Sequence, residues 1–204
     1  MKVRLFVAAA ISDGVREKVM DMVQILKPIR ADVKWVEKEN LHLTIKFLDE
    51  HPASRIPVIE EGLTEAVTGF RAFRAEFRGT GVFPNKKNPT VFWVGLEKGR
   101  DELKALARRV EDALEKRGFP REKREYTAHL TVARIRGPYN LTNFLTRMQD
   151  WSAAWFGYMQ VDRIFLVKST LFPTGPRYEP LASFLLEKEE TGPYIYDGRN
   201  PPLG

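Results

Sequence analysis

The chain has 204 residues, 43% hydrophobic and 29% charged, a balance that suits one globular domain or two small lobes sharing a core, and its formal net charge is +6. It contains no Cys, which excludes disulfides, thiolate nucleophiles and Cys-based zinc sites. No apolar run approaches the roughly 20 residues that cross a bilayer, and the start, Met1-Lys2-Val3-Arg4-Leu5, lacks the apolar stretch of a signal peptide, so a cytoplasmic protein without a membrane anchor is expected.

Hydrophobic period sets the coarse elements. Residues 5–9 are a short apolar run, read as a buried strand. Residues 13–26 have helical spacing, with Val15, Val19, Met22, Val23 and Leu26 on one side and Ser12-Asp13 as the N-cap. Residues 41–48 alternate as a strand, 56–67 are helical, and 70–77 alternate again. Residues 79–89 read as a loop, broken by Pro84-Asn85 and Asn88-Pro89. A β-rich run covers 90–96, and a helix covers 101–117, stopped by Gly118 and Pro120. Strand, short helix, strand and strand follow at 128–135, 141–150, 159–168 and 177–187. The expected division is a domain over 1–187 and a tail over 188–204. From Thr191 that tail is rich in breakers, with Tyr194, Ile195 and Tyr196 as its candidate anchors.

An offset of 87 residues aligns the two halves. It takes Leu5-Phe6-Val7-Ala8 to Phe92-Trp93-Val94-Gly95, Gly14 to Asp101, and His42-Leu43-Thr44 to His129-Leu130-Thr131. One offset for strand, helix and motif suggests an internal duplication. Identity outside the motif is poor, so the motif carries most of the weight.

Strand side chains alternate, so residues i and i+2 share a face. His42 and Thr44 point one way, as do His129 and Thr131; Leu43, Ile45, Leu130 and Val132 point to a core. Two imidazole–hydroxyl pairs facing each other across a cleft suit displacement at phosphorus. One neutral imidazole serves as base and one protonated imidazole as acid, with the hydroxyls of Thr44 and Thr131 on the nonbridging oxygens. By the same parity Lys46 joins the His42 face. The competing reading is a metal, but catalytic zinc usually takes three protein ligands. The only other histidine, His51, follows Asp49-Glu50 in an exposed-looking turn, so no metal or cofactor is expected. The positive net charge fits a polyanionic partner, nucleic acid first, and fits equally a charge spread over the surface for solubility, since no dense Lys/Arg stripe stands out.

These motifs resemble the 2H phosphoesterase superfamily, and within it the RNA 2′,3′-cyclic phosphodiesterases, also called 2′-5′ RNA ligases. The resemblance covers about residues 1–187. Its carriers are Arg4-Leu-Phe-Val-Ala8, Val33-Lys-Trp-Val36, Glu39-Asn-Leu-His-Leu-Thr-Ile-Lys-Phe-Leu48, Gly81-Val-Phe-Pro84, Val91-Phe-Trp-Val-Gly95, His129-Leu-Thr-Val-Ala-Arg134 and Tyr178-Glu-Pro-Leu181. Ala128 stands where the family often has Pro, and Asp49 where it often has Gly. The resemblance implies an α+β fold of two pseudo-twofold lobes, with two antiparallel-rich sheets lining a central cleft and helices outside. It makes His42 the general acid on the leaving O3′ and His129 the general base on water, acting on RNA with a 2′,3′-cyclic phosphate end. A monomer is expected.

Arg134 and its offset partner Phe47 are further candidates, for holding the terminal base by stacking. Both have the wrong parity for the histidine face, so a bulge, twist or strand end must redirect them. Otherwise Phe47 packs in the core and Arg134 pairs with a phosphate. The alternative functions are a 2′-5′ ligase acting on tRNA halves, a phosphodiesterase for small cyclic nucleotides, and an RNA-binding module without catalysis.

Overall fold

Helical and strand periods translate into nine strands and four α-helices in the computed structural model, which describes residues 1–173 and 175–188. In chain order these are β1 (Lys2–Ala10), α1 (Asp13–Leu26), β2 (Val33–Trp35), β3 (His42–Pro52), α2 (Ile56–Val67), β4 (Phe73–Phe83), β5 (Val91–Lys98), α3 (Arg100–Glu115), β6 (His129–Ile135), α4 (Leu141–Met148), β7 (Trp155–Val161), β8 (Arg163–Phe172) and β9 (Gly175–Leu185). The expected tail lies outside the described residues except for Lys188, and so do its candidate anchors. Among the described residues no helix is long and apolar enough to cross a membrane.

The strands form one antiparallel sheet in the order β7-β4-β5-β6-β3-β1-β8-β9, with β2 added on β6. The two expected sheets are present as its two halves, β7-β4-β5-β6 and β3-β1-β8-β9. They are continuous through one pair of residues, Leu43 and Leu130, where β3 meets β6. The halves share a topology: β1 lies between β3 and β8 as β5 lies between β6 and β4. An offset of 87 takes the first residue of α1 to that of α3 and the first of β3 to that of β6. In β1 and β5 the ladders set a different offset. Ala8 faces Thr44 as Trp93 faces Thr131, and Val7 faces Lys46 as Phe92 faces Ala133, so these strands are related by 85 residues. Short apolar strands match at several offsets that differ by two, and only pairing chooses between them.

The main core fills the space between the sheet and the helices. Helix α1 buries Val15, Val19, Met22, Val23 and Leu26, and Ser12 caps it by accepting from the Val15 amide. It packs against β7 and α4, whereas α3 packs against α2, β3 and β5. A second, smaller cluster of Phe6, Ala8 and Val167, with Phe165 and Tyr178 against it, lies on the other face of the first half. Both faces of that half-sheet therefore carry aromatic or aliphatic side chains, one against helices and one along the cleft.

The structure adds β2, which has no counterpart in the sequence reading, and carries β3 on through His51, expected in a turn; two further stretches also differ. The loop expected over 79–89 is strand as far as Phe83, because Gly79, at φ +72°, makes a bulge and does not end the strand. Gly81 keeps β4 beside β5, since any Cβ there would lie 2.2 Å from the Trp93 ring. The single strand expected over 159–168 is two, β7 and β8, which turn at Asp162 and pair on opposite sides of the sheet. The alternation slips by one residue at Asp162-Arg163, but a bulge within one strand gives the same slip, so period alone does not reveal a corner.

Lys46 is buried on the helix side and not on the histidine face. Its ammonium reaches a Glu111 carboxylate oxygen on α3 at 2.6 Å and the Pro120 carbonyl at 2.9 Å. This ion pair ties β3 to α3 away from solvent. Removing one partner strands a buried charge, which costs about 3–5 kcal/mol, whereas replacing both by apolar groups restores most of the loss. Urea unfolding of Lys46→Met should show a loss of that order, with Lys46→Met/Glu111→Leu close to the parent. A near-neutral single variant would mean that the pair contributes little.

Candidate active site

The Leu43–Leu130 junction decides where the histidine motifs lie. Both leucines are fully buried on the helix side. The residues flanking them, His42 and Thr44 on β3 and His129 and Thr131 on β6, share the opposite face. Antiparallel register at this pair sets His42 across from Thr131 and Thr44 across from His129. The duplicated tripeptides thus meet at the one point where the two half-sheets touch.

Each imidazole is held the same way. His42 Nδ1 lies 2.7 Å from the Asn40 carbonyl, and His129 Nδ1 lies 2.7 Å from the Thr127 carbonyl. A carbonyl only accepts, so both Nδ1 atoms carry the proton and donate, which leaves Nε2 as the reactive nitrogen in each ring. His42 Nε2 is 3.0 Å from Thr44 Oγ1, so in the neutral state it accepts from that hydroxyl.

The surroundings then diverge. His42 sits in an aromatic corner: the Phe6 ring centre is 4.8 Å away, tilted by 33°, and Tyr178 stands edge-on at 5.2 Å. His129 has Phe83 edge-on at 5.0 Å. Burial holds both imidazoles below their usual pKa, and the Nδ1 hydrogen bonds oppose this. The Arg134 cation depresses His129 further. The third histidine, His51, lies further along β3 against Phe119, with ring centres 4.9 Å apart. Among the described residues no three His, Cys, Asp or Glu side chains come together.

A cavity of about 900 Å³ opens on this face, with His42, Thr44, Thr131, Phe47, Arg134 and Tyr178 on its wall. His129 is half-buried beside it and not on the wall. Phe47 and Arg134 reach the cavity through matched bulges. On β3, Val7 faces Lys46 and Ala8 faces Thr44, so Ile45 is an extra residue. On β6, Phe92 faces Ala133 and Trp93 faces Thr131, so Val132 is extra. Both strands then bury two consecutive residues before an exposed one: Ile45-Lys46 before Phe47, and Val132-Ala133 before Arg134. The extra residue reverses the parity. Phe47 is 55% exposed, which rules out core packing for it, and the same reversal turns Lys46 away.

Sequence reasoning did not single out Asn40, Phe6, Tyr178 or Phe83. The signal for Asn40 is its place two residues before His42, which Thr127 repeats before His129. Phe6 reads as one more residue of an apolar strand, yet strand parity places it opposite Leu5 and Val7, on the cleft side.

The sequence model of the 2′-5′ RNA ligase superfamily matches residues 15–171. This chain belongs to that superfamily. Among superfamily members, an RNA 2′,3′-cyclic phosphodiesterase of Archaeoglobus fulgidus is 40% identical over 89% of this chain and 99% of its own length. One of Methanothermobacter thermautotrophicus is 36% identical over 91% and 100%. A crystal structure from Thermus thermophilus superposes with a TM-score of 0.74 at 30% identity, covering 91% of this chain and 99% of the other. E. coli LigT complexed with 3′-AMP shares the superfamily fold, at TM-score 0.69 and 22% identity over 91% and 99%.

Because burial holds the folded-state pKa of His42 and His129 below the unfolded value of 6.5, the unfolded chain takes up protons first on acidification. Their contribution to stability is complete above about pH 6.5 and is lost as pH falls through that value toward the folded pKa. Denaturant titrations across this window should show stability falling with acid, and more gently in His42→Gln. An equal slope in the two proteins would remove His42 from the effect.

Proposed function

We propose that the protein hydrolyses 2′,3′-cyclic phosphate ends of RNA to 2′-phosphates, with His42 as general acid and His129 as general base and no metal. The observation that carries this reading is the meeting of two His-x-Thr motifs at the Leu43–Leu130 pair, each with Nδ1 tied to a carbonyl and Nε2 left for chemistry. The relatives named RNA 2′,3′-cyclic phosphodiesterase, matched over nearly their whole length, support the substrate class.

In the reaction, water attacks phosphorus opposite O3′. His129 Nε2 takes the water proton as the new P–O bond forms. The P–O3′ bond breaks, and His42 Nε2–H gives its proton to O3′. The product is a 2′-phosphate beside a free 3′-hydroxyl, and the exchanged protonation states are reset through solvent. A 5′-hydroxyl end in place of the attacking water gives its proton to His129 as the P–O5′ bond forms, O3′ leaves with the proton of His42, and the product is a 2′-5′ linkage, so hydrolysis and ligation share the dyad.

The assignment of roles is the one the family resemblance implies, and the surroundings of His129 support it. Arg134 disfavours a charge on His129, which keeps it a base. Phe6 and Tyr178 bury His42 and by themselves disfavour its charged form. A bound cyclic phosphate adds one negative charge beside both rings and raises the protonated fraction where the acid needs it. When His42 is protonated, Nε2–H can donate to Thr44 Oγ1, which frees the hydroxyl proton for a nonbridging oxygen. Thr131 lies on the histidine face of β6, and its hydroxyl can donate to another nonbridging oxygen. Phe47 and Arg134 hold the terminal base by stacking.

Turnover of a nucleoside 2′,3′-cyclic phosphate in EDTA tests the reading. His42→Ala and His129→Ala should each lower kcat by roughly a hundredfold or more with folding retained, and chelation should change nothing. Activity that survives either substitution, or that requires added zinc, contradicts the two-histidine mechanism. Thr44→Ala and Thr131→Ala should each cost roughly ten- to a hundredfold, the value of one hydrogen bond to a charged group. Unchanged rates in both would take the threonines out of the reaction.

A further inference from the structure

The cavity wall carries more positive charge than one cyclic phosphate requires. Arg4, Lys34, Arg134 and Arg177 all line it, with Glu37 as a carboxylate on the same wall. Some cations elsewhere, such as Lys46, Arg78 and Lys104, are paired with carboxylates, and others are spread singly over the surface. Among the described residues none of these four forms an ion pair, so their mutual repulsion is not offset within the protein.

The four fall into two groups. Arg134 acts electrostatically on His129, and Arg4 and Arg134 both act on the Tyr178 hydroxyl, so this pair belongs to the surroundings of the dyad. Lys34 lies across the β2–β6 ladder from Arg134 and extends away toward β9. Its ammonium is 3.8 Å from where a Cβ on Gly175, the first residue of β9, would stand. Arg177 follows two residues later and is exposed. At the neighbouring end of β8, Phe172 also lines the cavity and leaves 48% of its surface open to solvent. Two unpaired cations and an open aromatic ring therefore continue the cavity outward from the dyad. A cyclic phosphodiester has one negative charge, and Arg4 and Arg134 already lie in the surroundings of the dyad. Lys34 and Arg177 are placed for further phosphates, and Phe172 offers a face for an unstacked base.

We propose that Lys34, Arg177 and Phe172 form a second subsite, which takes the single-stranded RNA body next to the cyclic end. Its internucleotide phosphates lie on Lys34 and Arg177, and an unpaired base lies on Phe172. This rests on the function proposed above and names its substrate more closely: an oligonucleotide end, favoured over a nucleoside 2′,3′-cyclic phosphate because only the oligonucleotide fills the second group of cations.

The test compares kcat/KM for cytidine 2′,3′-cyclic phosphate with that for a single-stranded trinucleotide ending in the same group. The parent protein should prefer the trinucleotide at least tenfold. Its advantage should shrink as salt rises from about 50 to 200 mM, since neutralised phosphates release counterions. Lys34→Gln/Arg177→Gln should bring the preference close to one and flatten the salt slope for the trinucleotide by about 0.7 for each phosphate no longer neutralised. Phe172→Ala should lower the preference without changing that slope. A preference and slope that survive the double substitution overturn the subsite while leaving the proposed reaction intact. Absence of turnover on both substrates in the parent protein removes the reaction, and this inference with it.

Discussion

A single pair of buried leucines organises the molecule. Leu43 and Leu130 are where two four-stranded half-sheets become one, and both face the helices. Strand alternation then leaves their neighbours no choice of side. An imidazole and a hydroxyl from each strand must lie on the opposite face, and the antiparallel register puts each imidazole across from the other strand's hydroxyl. The convergence of the two motifs therefore costs the fold no special device. It follows from burying two leucines at the centre of the sheet.

A second constraint acts two residues further along each strand. One extra residue, Ile45 in β3 and Val132 in β6, breaks the alternation at corresponding places. The sequence already contains the conflict, because Phe47 and Arg134 sit five residues after their histidines, at the wrong parity. It does not contain the resolution, since a bulge between two apolar residues has no composition of its own. The face of Lys46 is hidden for the same reason. An unbroken strand sends it to the cleft, whereas a bulged one sends it to Glu111. Motif, helix faces and the order of most elements are legible because each rests on a local period. The corner at Asp162, the extent of β4 and the 85-residue relation of β1 to β5 depend on which strands pair, and local periods are silent about that.

The two lobes also show how one scaffold can yield two chemical characters. The Nδ1-to-carbonyl tie is identical in both, at the same spacing of two residues. What differs is supplied by side chains whose chemistry the other half does not repeat. Tyr178 comes from β9 and Phe6 from β1, while Phe83 comes from the end of β4 and Arg134 from the bulged end of β6. A duplicated pair with equal environments would titrate alike, and in-line displacement needs one member protonated and the other not. Asn40 carries a further asymmetry. Its carbonyl accepts from His42, and its side-chain amide donates to the Pro176 carbonyl at 3.0 Å, so the start of β9 is tied to the residue that orients one histidine.

The cleft is open because β3 and β6 stop pairing so soon. Beyond Leu130 the outer edge of β6 still presents backbone groups that need partners. A continued ladder with β3 would satisfy them and close the cleft. Instead β2 takes that edge, with Val33, Lys34 and Trp35 facing Ile135, Arg134 and Ala133, and the Val36 amide donates to the Val132 carbonyl at 2.9 Å. Trp35 anchors the short strand edge-on against Phe92 and Phe144 on the core side. Alternation then turns Lys34 to the other side, into the cavity. Three residues too few to register as a strand by period thus do two things at once. They occupy the edge on which β3 could otherwise zip, and they bring a cation to the space this creates. The distance between the two histidine-bearing strands beyond their one contact is set by what fills the gap, so the width of the cleft and part of its charge have the same origin.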